Sequence, residues 1–149
     1  MGEKTNQIGR LLIEGLCGVV KVDFSDFIKF DSKLLLTIDP INKLDIEIKK
    51  DSIRVMYSEA DNEFWAACYR NEYDFVYDAI KFITLLLQNT IRIKCVYSAH
   101  TLISYKVWAV DKKSEQKRLL QVVTRSLNPF LWFRSKAVKT KEIEFSKQG

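Results

Sequence analysis

Residues 44–49 read Leu-Asp-Ile-Glu-Ile-Lys, an unbroken alternation of apolar and charged side chains. Side chains of a strand point to alternate faces, so this period of two specifies a sheet with one dry face and one wet face. It is the pattern that most limits what the chain can build. Val19–Phe24 alternates in the same way, and Lys33–Asp39 is a short apolar strand stopped by Asp39-Pro40. Ile53–Ser58 and Phe64–Arg70 are expected to form a hairpin across Glu59-Ala60-Asp61-Asn62. Ile91–Tyr97 and Leu102–Val110 are expected to form another around Ser98-Ala99-His100-Thr101, and Ile143–Phe145 a last short strand.

Helical spacing is clearest in residues 72–88, where Val76, Ile80, Ile83 and Leu87 form an apolar stripe widened by Phe75, Ala79 and Leu86. Asn71 is its expected N-cap, and Glu72 and Asp74 place negative charge in the first turn. Thr5–Leu16 carries a weaker stripe, diluted by Gly9 and Gly15. Leu119, Leu120, Val123 and Leu127 suggest a helix over 115–127, capped by Ser114 and ended by Asn128-Pro129. The expected fold is therefore α+β: one antiparallel sheet of about six to seven strands, with helices 72–88 and 115–127 packed on one face. At 149 residues, a single domain over 1–149 is expected, with a basic C-terminal segment 128–149.

Residues that perform chemistry are scarce. The chain has five glycines and no glycine-rich phosphate loop of the dinucleotide or P-loop type. His100 is the one histidine, and Cys17, Cys68 and Cys95 are too scattered for a zinc site. The cysteines read as buried thiols in a reducing compartment. A Cys68–His100 dyad is outweighed by a core thiol and a solvated histidine, since Cys68 falls in an apolar strand and His100 in an expected exposed turn. Asp23, Asp26 and Asp31, or Asp45 and Glu47, read as surface carboxylates; Lys43 and Lys49 share the face of the latter pair. No catalytic residue, cofactor or metal is expected. The N-terminus lacks the apolar core of a secretory signal, the longest apolar run is six residues, and a cytoplasmic location is expected.

Charge is the compositional feature with functional content. Residues 1–111 hold 14 basic and 16 acidic side chains, a net of −2; residues 112–149 hold 10 and 3, a net of +7. Within the basic quarter, Phe130, Leu131, Trp132 and Phe133 precede Arg134, Lys136, Lys139 and Lys141. Phe130, Trp132, Phe133, Arg134, Lys136, Lys139 and Lys141 are the candidate binding residues.

The first expectation is a non-catalytic module that binds a protein presenting an acidic patch, in an inhibitor, immunity-type or adaptor role, with a strand such as 44–49 offering an edge for pairing. The alternative is nucleic acid, its phosphates met by cations and its bases by aromatic rings. A membrane surface ranks below both. A third reading is a small-ligand carrier or enzyme with a pocket between helix 72–88 and the sheet. The exposure of Phe130–Phe133 discriminates: buried rings favour the protein partner, exposed rings favour nucleic acid or lipid.

Overall fold

A computed structural model describes residues 2–146. The architecture is α+β, with two antiparallel sheets rather than one. The chain divides into two compact units: the first runs to Leu87 and resumes at Phe145, and the second spans Gln88–Glu144.

The first unit opens with α1 (Glu3–Leu16), followed by β1 (Ile28–Phe30), β2 (Lys33–Asp39), β3 (Leu44–Ile48), β4 (Ser52–Tyr57) and β5 (Ala60–Trp65), and ends with α2 (Asp74–Gln88). The strands form a meander in the order β1-β2-β3-β4-β5. The alternation at 44–49 is realised as anticipated: Leu44, Ile46 and Ile48 are fully buried, while Asp45 and Glu47 stay partly accessible. Register places Ile46 between Leu36 and Val55, so the dry face continues across the sheet. From α2, Phe75, Val76, Ala79, Phe82, Ile83 and Leu86 are buried, and Phe82 packs edge-on against Tyr57.

Both glycines of α1 have a steric reason. A Cβ on Gly15 would lie 2.3 Å from Cδ1 of Ile80, and one on Gly9 would lie 3.0 Å from Cδ1 of Leu34. They let α1 approach α2 and the sheet closely, so the residues that weaken the helix in isolation permit its packing. Asp39, fully buried, accepts hydrogen bonds from the backbone of Ile41 and Asn42, the Asn42 amide and the backbone of Ser146. It thereby shapes the β2–β3 loop and fastens the returning chain, whose Phe145 ring packs against Tyr57.

The second unit holds β6 (Thr90–Ser98), β7 (Thr101–Val110), β8 (Lys117–Thr124), the one-turn helix α3 (Pro129–Trp132) and β9 (Lys136–Ile143). Its order is β8-β7-β6-β9. Three hairpin-connected strands are joined by a fourth that returns beside the first, which is a Greek key. Its dry face is built by Ile91, Ile93 and Cys95 of β6 and Ile103, Tyr105, Val107 and Ala109 of β7.

Several expectations are corrected. Two sheets of five and four strands replace one of six to seven, because α2 separates two sets of strands that each pair among themselves. The expected helix 115–127 is instead β8, paired with β7. Leu120 is skipped in the register between Val107 and Trp108, and this bulge breaks the alternation that would mark a strand. The strand expected at 19–24 is absent; Asp23 and Asp26 cap each other's backbone around a short 3-10 turn at Phe24–Asp26. The β4–β5 turn is the two residues Ser58-Glu59, not 59–62, and Phe64–Arg70 is only briefly strand before a 3-10 turn at Ala66–Cys68. Cys17 and Cys68 are exposed, and only Cys95 is buried. Strand 44–48 is paired on both sides and has no free edge. The last strand is 136–143 rather than 143–145. Residues 128–146 are thus an ordered connection, a strand and a docked return; residues 147–149 of the expected basic segment lie outside the described residues.

Candidate functional site

The Greek key needs a long connection to carry the chain from the outer edge of β8 to the far side of β6, and residues 125–135 supply it. Irregular segments held by a rigid sheet are where binding residues concentrate. Asn128 starts the connection's single helical turn: Pro129 fixes the first helical position, and the Asn128 side chain accepts from the backbone of Phe130 at 3.1 Å. The Nε1–H of Trp132 donates to the carbonyl of Ser126 at 2.7 Å, and the backbone of Arg125 donates to Ile103. Trp132 is therefore half-buried and serves as an anchor.

That anchor leaves its neighbours outside. Phe130 is 76% exposed, Phe133 and Leu127 are 88% exposed, and Arg134 is exposed as well. Ordinary surfaces carry scattered apolar residues, but here three large exposed side chains fall within seven positions of the chain. Two cations lie against aromatic rings close by: Lys136 Nζ is 5.0 Å from the centre of the Trp132 ring, and Lys139 Nζ is 5.3 Å from that of Tyr97. Such contacts limit the wandering of a lysine head without neutralising it. Lys139 and Lys141 sit on β9 opposite Cys95 and Ile93.

Sequence reasoning missed a second basic feature. Lys94 of β6 and Lys106 of β7 are direct cross-strand partners, both exposed, on the wet face of the second sheet. Like charges in direct opposition are unfavourable, by a few tenths to about 1 kcal/mol. Around them on that face lie Trp108, Val96, Val122 and Val138, the last two more than half exposed. Lys94 joins Arg92 on the polar face of β6, and Lys106 is the one charge in β7; these charges within strand patterns were the available signal. The pairing itself needed the register.

His100 occupies the β6–β7 turn, as anticipated. Ser98 pairs with Thr101, so the turn is the two residues Ala99-His100, with φ of 48° and 68°. Positive φ at both positions is the type I′ geometry that favours Asn-Gly. Alanine there costs about 1 kcal/mol, whereas histidine is among the residues that tolerate the region.

The carboxylates find structural partners. Glu47 lies near Lys33 and Lys49 at 3.7 and 3.6 Å, and Arg54 bonds Asp61 at 2.9 Å. Tyr69 donates to Asp78 at 2.8 Å; burial, then that hydrogen bond, push its phenol up to about 12. Among the described residues no group of three or more potential ligands is placed to hold a metal, and no helix is long and apolar enough to cross a membrane. The chain matches no known family model, and no curated protein or solved structure is detectably similar to it.

Proposed function

We propose that this chain is a non-catalytic binding protein whose second unit holds single-stranded nucleic acid. The observation that carries the reading is the connection 125–135, which holds exposed Phe130, Phe133 and Arg134 and leads directly into β9 with exposed Lys136 and Lys139. Exposed rings stack on bases of any identity, and adjacent cations neutralise the phosphates that accompany them. Residues 88–144 hold 12 basic and 4 acidic side chains, a net of +8, which leaves 12 and 15, a net of −3, for the rest of the chain. The attraction therefore belongs to one unit. Three free cysteines support a reducing compartment, with the cytoplasm as the simplest location.

The test is fluorescence anisotropy of a labelled 12-nucleotide single strand against the full chain. Affinity should fall steeply between 50 and 200 mM salt, by about 0.7 log units per log unit of salt for each phosphate contacted. A duplex of equal length should bind more weakly, because its bases are already stacked. Absence of binding at low salt would remove the reading.

A second reading retains the protein partner with an acidic patch. It is favoured by the wet face of the second sheet, where exposed Leu119, Val122 and Val138 surround the Lys94–Lys106 pair. On this reading, replacing both lysines by Glu abolishes capture of a stoichiometric partner and leaves binding through 125–135 intact. Recovery of no stoichiometric protein by the native chain would count against it.

A further inference from the structure

Among the described residues, four surface cavities can be compared by the charge that lines them. Those at Asp31 and Asp51, at Asp23 and Asp26, and at Asp111, Glu115 and Glu142 all present carboxylates. The fourth, about 330 Å³, lies beside the β6–β7 turn and is lined by Tyr97, Ala99, His100, Ser135, Ala137 and Lys139, with no acidic residue. Its polar groups are an ammonium, an imidazole, an aliphatic hydroxyl and a phenol. Each is able to donate a hydrogen bond to an anion, the imidazole through either nitrogen.

From this we infer that the groove is the phosphate subsite of the bound strand, seating one phosphate between Lys139, His100 and Ser135. The inference rests on the nucleic-acid reading and adds the place where the backbone is gripped. Three features support it. Lys139 is held over the Tyr97 ring, so its ammonium loses less freedom when an anion arrives. His100 sits in a two-residue turn with both residues left-handed, which leaves its backbone little slack. Ser135 lines the groove and closes the connection that carries Phe130 and Phe133, so rings and groove belong to one continuous segment of chain. The volume suits one nucleotide unit and lies at the small end of ligand sites.

His100 is the chain's single histidine, so its ring resonance is assigned without ambiguity. The full chain, labelled with ¹³C, is titrated with a dT12 strand, thymidine 5′-monophosphate, thymidine and inorganic pyrophosphate, and dT12 affinity is measured in parallel by anisotropy. The ring signal should shift saturably with dT12 and with the monophosphate, and stay unmoved by thymidine. His100→Asn, which keeps a residue tolerant of positive φ, should weaken dT12 binding about 3- to 10-fold with an unchanged unfolding midpoint. If dT12 binds, the ring signal does not move and His100→Asn binds equally well, the subsite is refuted and the nucleic-acid reading stands. An equal shift with thymidine also refutes it, since the base and not the phosphate would then occupy the groove. If dT12 does not bind at all, the nucleic-acid reading falls. The groove is then judged on pyrophosphate: a saturable shift sustains an anion subsite, and none removes it.

Discussion

The wet faces of the two sheets are built by opposite rules. On the first sheet, cross-strand register sets Glu47 against Arg54 and Arg54 against Glu63, while Lys33 and Lys49 flank Glu47. Most charges on this face meet an opposite one, Asp45 being set against Thr37 and Met56 instead. On the second sheet, Lys94 faces Lys106, and the connection leading into β9 carries exposed Arg134 directly after exposed Phe133. One acid on that face, Glu142, is engaged by Arg92 at 2.9 Å. Surface ion pairs add little stability, so the contrast concerns partners rather than folding. A surface that satisfies itself has no electrostatic reason to bind, whereas an unbalanced one lowers its energy by meeting an anion.

Phe82→Ala should cost the first unit about 3–5 kcal/mol, because the ring fills the space between Tyr57 and Phe64. Urea unfolding reads this, and the folded fraction should keep its oligonucleotide affinity. Removing Arg134, Lys136, Lys139 and Lys141 together as alanines should have the converse outcome. Affinity at low salt should drop about 100-fold or more, the salt slope should flatten by up to about 3, and the unfolding midpoint should barely move. A quadruple variant with wild-type salt dependence would break the comparison.

Next in size is an effect of pH confined to the first unit. Burial opposes ionisation of Asp39, but donors from Asn42, Ser146 and Ile41 outweigh it and hold the carboxyl below its ordinary value. A depressed folded-state value means that this stabilisation is complete above about pH 4 and is lost as pH falls below it. Asp39→Ala should cost about 2 kcal/mol at pH 7, and the deficit should shrink in acid. Denaturant titrations at pH 7 and pH 3 measure both.

Smaller changes sharpen the picture of the second unit. Phe130→Ser with Phe133→Ser should weaken single-strand binding by about 1–3 kcal/mol per stacked base while altering stability by under about 0.5 kcal/mol. If that pair of changes destabilised the fold instead, the rings would be packing residues. Lys106→Glu should raise stability by about 0.2–1 kcal/mol by replacing a like-charge pair with an opposite one, visible as a small rise in thermal midpoint.

A clean period identified some elements but misled at 19–24, where an equally regular alternation is not strand. Strand 44–49 and helix 72–88, observed as 44–48 and 74–88, follow from side-chain alternation and a 3.6-residue stripe. Turns were harder because this glycine-poor chain makes them without glycine. Asp31, Ser32, Lys43, Ser58, Ala99, His100 and Glu115 all adopt positive φ, so the usual Asn-Gly markers are missing. The Ser58-Glu59 turn was placed late for that reason. Strand β8 was lost because its bulge at Leu120 imitates helical spacing. At the candidate site, the composition of 130–141 was visible from the start. Its placement was not: pairing of β9 with β6 turns an apparent tail into a strand, and makes the aromatic run a connection fixed at both ends. The Lys94–Lys106 opposition depends wholly on register, which no local pattern reports.

Amide hydrogen exchange of the full chain, with and without a saturating single-stranded 12-mer, compares the two regions in one experiment. The account predicts slowed exchange within residues 125–135, at the 99–100 turn and along β9, with the Asp45–Glu63 face of the first sheet unchanged. Protection on that first face, or none in the connection, would contradict it.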